Sequence, residues 1–171
     1  MFTLVIGGSA SGKSEYAESW VLGLPGRRIY LAAMRPWDQE CLDRIARHRL
    51  LRRDKGFETI ERYTDLAGAE IPADSNLLLE CMSNLAANEL YDPEGGGEEA
   101  VLQGVEALLS RSAHLTVVTN EVFSGGAAYG EDTLHYLQTL ARINRRLAAR
   151  ADAVVEMVCG LSNFLKGRSR P

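Results

Sequence analysis

The residues best suited to chemistry stand near the start of the chain, in a glycine-rich loop. Residues 7–14 read GGSASGKS and match the spacing G-x-x-x-x-G-K-[ST], between a strand pattern at 4–6 and a helical pattern at 14–22. Glycines let successive backbone N–H groups point inward at an anion, and the helix N-terminus adds partial positive charge. We therefore expect a nucleoside triphosphate to bind along the loop: Gly7, Gly8, Ser9, Ala10, Ser11, Gly12, Lys13 and Ser14.

Two side chains of this loop and one acid further along predict how phosphates and Mg²⁺ would be held. Lys13 would reach the outer phosphates as a catalytic cation, and Ser14 would ligate Mg²⁺. Glu80 stands in the apolar run NLLLEC, and an acid at the end of a strand beside a phosphate loop often holds the magnesium shell. The alternative for Glu80 is the N-cap of a helix or a solvated edge. Glu121, after the run LTVVTN, allows the same interpretations.

A second chemical cluster lies in the segment RIARHRLLRR at 44–53, where five arginines surround His48. The rest of the chain is acidic, so this segment forms a local positive field that suits phosphates. A helix carrying it could cover the mouth of the glycine loop, and His48 could then be a general base, a phosphate contact or a nucleophile. The alternative is a solvated helix face with surface arginines. His114 and His135 are expected to be structural.

Length and composition limit the classes of protein that this chain can be. Its 171 residues suit one domain, 1–171, and a composition of 46% hydrophobic and 25% charged residues is ordinary for a globular protein. The net charge of −4 argues against a general nucleic-acid binder. The three cysteines have neither zinc nor disulfide spacing. Without a long apolar run or a basic leader, we expect no membrane insertion and a cytoplasmic location.

The remaining pattern alternates apolar strands with amphipathic helices. Strands are predicted at 4–6, 28–33, 57–61, 76–81, 115–122 and 153–159. Helices are predicted at 14–22, 37–53, 98–111 and 132–150, and the stretch YDPEGGGEEA at 91–100 is expected to be an acidic loop. This alternation predicts an α/β fold with a mostly parallel sheet and helices on both faces. In such sheets the ligand lies at the carboxyl ends of the strands.

The residues by themselves leave three classes of nucleotide-using protein open. A regulatory GTPase would match D-x-x-G at 65–68 and 92–95, but no N-K-x-D follows a strand to recognise guanine. A mechanical ATPase would usually need a longer chain. A small-metabolite kinase fits the size of the chain and the arginine-rich segment best. Taken alone, the residues therefore predict nucleotide-dependent phosphoryl transfer.

Six segments in a fixed order carry a more specific resemblance: GGSASGKSEYAE, LAAM, RIARHR, LLLECMSNLAANEL, VVTNEV and INRRLAARADAVVEMVCGL. Together they resemble the bifunctional adenosylcobinamide kinase / adenosylcobinamide-phosphate guanylyltransferase family of cobalamin biosynthesis, over nearly the whole chain. The resemblance implies that ATP or GTP phosphorylates the aminopropanol hydroxyl of adenosylcobinamide. It implies that GTP then transfers GMP to that phosphate, which gives adenosylcobinamide-GDP and pyrophosphate.

The resemblance also assigns roles to residues. It implies that His48 carries GMP as a covalent intermediate, and that the protein is a homotrimer with a RecA-like P-loop core. Nucleotide contacts beyond the loop would be made by Ala32, Ala33, Met34, Arg49, Leu50, Leu51, Arg52, Glu61 and Glu80. The alternatives are a P-loop small-metabolite kinase without guanylyltransferase activity and a non-catalytic nucleotide-binding module.

One segment departs from the family pattern. After T-N-E-V many relatives continue with G-x-G, whereas residues 123–129 of this chain read FSGGAAY. The segment is still glycine-rich but bulkier at its start. The contacts with the corrinoid and the balance of the two activities are therefore where we expect this chain to differ from its relatives.

Overall fold

The computed structural model describes residues 1–123 and 129–167, except for the side chain of Leu51. Strands and helices alternate through most of the chain. In order they are β1 (Phe2–Gly7), α1 (Lys13–Leu22), β2 (Arg28–Ala32), α2 (Gln39–Arg52), β3 (Phe57–Glu61), a short 3₁₀ turn (Leu66–Gly68), β4 (Asn76–Glu80), α3 (Met82–Tyr91), α4 (Gly97–Arg111), β5 (His114–Asn120), α5 (Glu131–Arg150), β6 (Ala153–Val158) and β7 (Leu161–Lys166).

The seven strands form one sheet in the order β3-β2-β4-β5-β1-β6-β7. Every neighbouring pair from β3 to β6 is parallel, and only β7 runs antiparallel to its neighbour β6. Parallel neighbours need a crossover, which the intervening helices supply. The predicted α/β fold, with a mostly parallel sheet and helices on both faces, is confirmed.

Alternating side chains of the strands build a hydrophobic core on each face of the sheet. In β4, Leu77 and Leu79 pack into the larger core with residues of α3, α4 and α5, whereas Leu78 packs into the smaller core. The smaller core also contains Ala17 and Val21 of α1. Because both faces are covered, the central strands consist of nearly continuous apolar residues, as expected for a parallel sheet.

The helix α2 differs from the others in how little of it is buried. Asp38 caps its start, where the carboxylate accepts a hydrogen bond from the Cys41 N–H at 2.7 Å. Arg52 is the one buried side chain among the described residues of this helix. Propensity and capping therefore contribute more to α2 than burial of an apolar stripe does.

The sequence patterns did not predict two elements. Helix α3 has buried Met82, Leu85 and Ala86 at helical spacing, but it begins directly after the end of β4, where the pattern suggested only the end of a strand. Strand β7 is exposed along nearly its whole length, so it has no alternating apolar pattern. The predicted acidic loop was partly wrong, because residues 97–100 form the first turn of α4.

Candidate functional site

A cavity of about 910 Å³ opens at the carboxyl edge of the sheet. Strands β1, β2, β4 and β5 all end there, at Gly7, Ala32, Glu80 and Asn120. The loop between β1 and α1 lies on one side of the cavity and α2 on the other. This is the position at which open α/β sheets bind their ligands, because the loops that follow the parallel strands converge there.

The glycine-rich loop curls in the way a phosphate cradle requires. Ala10 has a φ of 54°, and Gly12, which precedes α1, has a φ of 90°. The Ser11 N–H donates to the Gly8 carbonyl oxygen at 3.3 Å, which closes the loop. Helix α1 begins at Lys13, so its free N–H groups and its positive dipole end face the cavity side of the loop.

Lys13 is buried under its own loop. Its side chain is only 8% exposed, and Nζ donates to the Gly8 carbonyl oxygen at 2.7 Å. Burial lowers the pKa of Lys13 below its ordinary value, although Cys81 and Glu80 act in the opposite direction. A bound phosphate would provide the compensating charge, so this lysine is suited to an anionic ligand.

Glu80 lies directly beneath the start of α1. One carboxylate oxygen, Oε1, accepts a hydrogen bond from the Ser14 hydroxyl, and Oε2 accepts one from the Tyr30 hydroxyl at 3.2 Å. The N-cap of the following helix is Cys81, and Glu80 is buried. The alternatives of an N-cap and a solvated edge are therefore wrong for Glu80.

Helix α2 brings His48 and most of the arginine segment to the other side of the same cavity. Arg44, Arg47, Arg49 and Arg52 line it together with His48. Arg49 forms an ion pair with Glu61 at the end of β3, and Tyr63 donates to the second carboxylate oxygen of Glu61 at 2.9 Å. With Lys13, five cationic side chains line the cavity, whereas its acids are Glu40, Asp43, Glu61 and Glu80.

The structure brings most of the predicted site residues to one place, but not all of them. The predicted residues that line the cavity are Ser9, Ala10, Lys13, Ser14, Ala32, Met34, His48, Arg49, Arg52, Glu61 and Glu80. The loop residues Gly7, Gly8, Ser11 and Gly12 shape the loop without lining the cavity, Ala33 is buried, and Leu50 is 69% exposed on α2. Leu51 belongs to α2, and its side chain lies outside the described part of the structure.

Several cavity residues had no distinguishing pattern in the sequence. They are Tyr30, Cys81, Asn84 and Val122. Asn120 also lines the cavity, and its place at the end of an apolar strand predicts that position. Glu121 does not line the cavity, and its side chain accepts from the Phe123 N–H at 2.9 Å. His114 and His135 also lie outside the cavity lining, and residues 124–128 of the departing segment lie outside the described residues.

None of the helices in the described part of the chain has both the length and the apolar character needed to cross a membrane.

Known proteins resemble this chain along most of its length. A family model for cobinamide kinase / cobinamide phosphate guanyltransferase matches residues 3–165. The bifunctional adenosylcobalamin biosynthesis protein CobU of Escherichia coli (strain K12) is 31% identical over 183 residues, which covers 97% of this chain and 100% of the relative. The protein of the same name from Salmonella typhimurium is 32% identical over 183 residues with the same coverage.

A solved structure supports the fold independently. A prototypical ATPase from the type III secretion system of pathogenic bacteria is similar to this chain with a TM-score of 0.51 at 14% identity. The match covers 95% of this chain and 56% of the ATPase, so this chain spans about half of that protein. The predicted RecA-like P-loop core is confirmed. Because the family model matches residues 3–165, the chain belongs to the cobinamide kinase / cobinamide phosphate guanyltransferase family.

Proposed function

We propose that this chain, as a single nucleotide-binding domain of residues 1–171, catalyses both reactions of its family in one cavity. The observation that carries the proposal is that Lys13 and Ser14 of the loop and His48 of α2 line the same cavity. A phosphate loop by itself would be enough for a kinase. A histidine on the facing helix adds the nucleophile that a covalent guanylyl transfer requires.

In the kinase reaction, the hydroxyl of adenosylcobinamide attacks the γ-phosphorus of a nucleoside triphosphate, and the nucleoside diphosphate leaves. The backbone N–H groups of residues 7–14 and the start of α1 would hold the phosphates. Lys13 would exchange its hydrogen bond with the Gly8 carbonyl for one with the phosphates and stabilise the charge that develops on them.

In the guanylyltransferase reaction, an imidazole nitrogen of His48 attacks the α-phosphorus of GTP. The bond from that phosphorus to the bridging oxygen breaks, and pyrophosphate leaves. The phosphate oxygen of adenosylcobinamide phosphate then attacks the same phosphorus and displaces His48, which forms the diphosphate of adenosylcobinamide-GDP. Arg44, Arg47 and Arg49, which line the cavity beside His48, would stabilise the charged phosphates in both displacements.

Mg²⁺ fits the oxygen donors at the start of α1 and the end of β4. The Ser14 hydroxyl and the Glu80 carboxylate are hydrogen-bonded to each other, and both are oxygen donors of the kind that Mg²⁺ prefers. Among the described residues, no group of three or more His, Cys, Asp or Glu side chains could enclose a metal by itself. Mg²⁺ usually keeps several of its ligands from water and substrate phosphates, so the two oxygen donors Ser14 and Glu80 are enough to hold it beside a nucleotide. Bound there, the ion would neutralise charge on the nucleotide phosphates.

The proposal includes the homotrimer and the cytoplasmic location. The nucleotide co-substrates and the free thiols of Cys41, Cys81 and Cys159 suit a reducing, nucleotide-rich compartment. Light scattering on the purified protein should give about three times the 18.8 kDa mass of one chain. A mass of one chain at all concentrations would remove the trimer from the proposal.

Covalent labelling tests the assignment of His48. The protein incubated with Mg²⁺ and GTP labelled at the α-phosphate, without corrinoid, should become labelled, whereas GTP labelled at the γ-phosphate should leave no label. The phosphoramidate bond should survive alkali and be lost in mild acid. His48→Ala should abolish labelling and guanylyl transfer but retain the kinase reaction. The matched control is His135→Ala, which changes an exposed histidine of α5 outside the cavity and should label normally.

The outcomes of this experiment separate the remaining possibilities. Adenosylcobinamide phosphate should discharge the label into adenosylcobinamide-GDP. A wild-type protein with kinase activity that takes up no α-label would indicate a kinase without the second activity. Label that persists in His48→Ala would place the nucleophile on another residue. Nucleotide binding without transfer to any acceptor would indicate a binding module.

A further inference from the structure

Tyr30 contacts both charged sides of the cavity. This residue of β2 is buried, its hydroxyl donates to Glu80 Oε2 at 3.2 Å, and Cζ of Arg52 lies 3.3 Å from the centroid of its ring. We propose that Tyr30 is a positioning residue: its hydroxyl orients the Glu80 carboxylate toward Ser14, and its ring holds the Arg52 guanidinium at the phosphate site. The inference rests on the proposed function, which places Mg²⁺ beside Glu80 and nucleotide phosphates in the cavity that Arg52 also lines.

The hydroxyl of Tyr30 completes the hydrogen bonding of Glu80. The Ser14 hydroxyl occupies Oε1 of the carboxylate and Tyr30 occupies Oε2, so the carboxylate is held in one orientation. The phenol hydroxyl is the donor of this hydrogen bond, and Tyr30 is only 4% exposed. A donor on the far oxygen of a metal-binding carboxylate is the usual way in which proteins orient such a ligand.

The ring of Tyr30 contacts the guanidinium group of Arg52. Arg52 is only 6% exposed, and its Nε and Nη1 atoms have no hydrogen-bond partner among the described residues. A buried guanidinium with free N–H groups requires an anion to satisfy it. The face of an aromatic ring attracts the cation without occupying those N–H groups. Arg52, which lines the cavity, therefore keeps its donors available for a phosphate.

A packing role is the plain alternative for Tyr30. Its ring also meets the ring of Phe57 edge-on, with centroids 6.4 Å apart, and belongs to the smaller core with Val5 and Val21. If packing were its whole role, Phe would replace Tyr without effect on ligands, because it fills the same space. If Tyr30 positions Glu80, the loss of one oxygen atom should change the response of nucleotide binding to Mg²⁺.

Calorimetric titration with a non-hydrolysable GTP analogue tests this difference. Tyr30→Phe should weaken binding about tenfold in Mg²⁺, as expected for loss of a partner that orients a metal ligand, and leave binding in EDTA unchanged. Tyr30→Leu removes the ring as well, so it should weaken binding in EDTA too. Phe57→Leu is the matched control, because it removes an aromatic neighbour of Tyr30 with no polar contact to the site. It should leave the ratio of the two affinities as in the wild type.

A double-mutant cycle adds a readout that general destabilisation would not change. Once Glu80→Gln has removed the charge that Mg²⁺ requires, adding Tyr30→Phe should have no further effect on affinity in Mg²⁺. Equal losses in Mg²⁺ and EDTA for Tyr30→Phe, no loss in either condition, or additive effects with Glu80→Gln would overturn the inference. Absence of guanylyl label on wild-type protein would contradict the proposed function instead, since labelling and this titration are independent measurements.

Discussion

The two sides of the cavity are built in opposite ways. The glycine loop continues directly from β1, an interior strand of the sheet, and packs against the turn between β6 and β7, whereas little of the surface of α2 is buried. The loop must present several N–H groups to one phosphate chain, which requires a fixed backbone. Helix α2, which carries His48, presents side chains to the cavity. Side chains are long enough to reach a ligand even from a helix that is not part of the core.

The support of the loop comes from the turn between β6 and β7. The Gly160 N–H donates to the Ser11 carbonyl oxygen at 3.0 Å. A Cβ atom on Gly12 would lie 3.3 Å from the Gly160 Cα, and one on Gly7 would lie 2.7 Å from the Met157 carbonyl oxygen. The chain thus closes its C-terminal hairpin onto its N-terminal loop. Gly7 and Gly12 fit this close approach because they lack a Cβ atom, whereas Gly160 is suited to its place by its φ of 80°.

Most of helix α2 is exposed, and contacts of charged side chains hold it in place. Arg52 stacks on Tyr30, Arg49 pairs with Glu61, and Lys55, just after the helix, pairs with the buried Glu18 of α1. Changes to the backbone of the loop should therefore affect stability and binding together, whereas changes to side chains that line the cavity should affect chemistry and leave stability nearly unaltered. Four substitutions test this difference, and they are given in order of decreasing expected effect.

Lys13→Ala should have the largest effect. Kinase turnover should fall by about a hundredfold or more, because the transferring phosphates lose their cation. The free energy of unfolding should change little, because loss of the hydrogen bond from Nζ to the Gly8 carbonyl oxygen is offset by removal of the cost of burying the charge, the same cost that lowers the pKa of Lys13. Steady-state kinetics and urea unfolding measure the two quantities. Lys166→Ala, at the end of β7, is the control, and unchanged turnover in Lys13→Ala would remove the loop from the mechanism.

Gly7→Ala should damage stability and nucleotide binding together. The added methyl group would lie 2.5 Å from Ser11 Oγ and 2.7 Å from the Met157 carbonyl oxygen, so the loop has to shift. We expect the free energy of unfolding to fall by about 1–3 kcal/mol, the usual cost of overpacking. The matched control is Gly8→Ala, where a Cβ atom would meet nothing within 4 Å. Equal stabilities for the two variants would contradict the tight packing of the loop.

Gly160→Ala should have an intermediate effect. Its φ is 80°, a conformation that costs alanine about 1 kcal/mol, although a Cβ atom there would meet nothing within 4 Å. Because its N–H donates to Ser11, strain in the hairpin should also weaken nucleotide binding. Gly130→Ala, where φ is −64° and the space is equally open, is the control. Lower stability with wild-type nucleotide affinity would show that the hairpin does not position the loop.

Leu50→Ala should have the smallest effect. This side chain of α2 is 69% exposed and does not line the cavity, so unfolding should change by less than about 0.5 kcal/mol. Nucleotide affinity and guanylyl labelling should remain at wild-type values. A clear loss of affinity, measured in the same calorimetric titration, would instead support the nucleotide contact that the family resemblance implied for Leu50.

Local patterns in the sequence predicted the fold class, which is confirmed, and the position of the candidate site. The spacing of Gly7, Gly12 and Lys13 follows from the geometry of one loop, and period-two and period-3.6 patterns mark strands and helices that are each buried on a defined face. Glu80 was identifiable because it ends an apolar strand, and the segment around His48 because its charge opposes that of the chain. The family, predicted from six ordered segments, is confirmed by the match over residues 3–165.

The residues that surround and support the candidate site become visible only in the folded chain. In the sequence, Tyr30 is indistinguishable from the other apolar positions of β2. Its role depends on two contacts in the folded chain, one with Glu80 of the neighbouring strand β4 and one with Arg52 of α2. Gly160, in the turn between β6 and β7, donates to Ser11 from the other end of the chain, and the exposed residues of β7 that follow this turn have no apolar period. These contacts join residues that are distant in sequence. No local spacing encodes them, because they depend on the order in which the strands are arranged in the sheet.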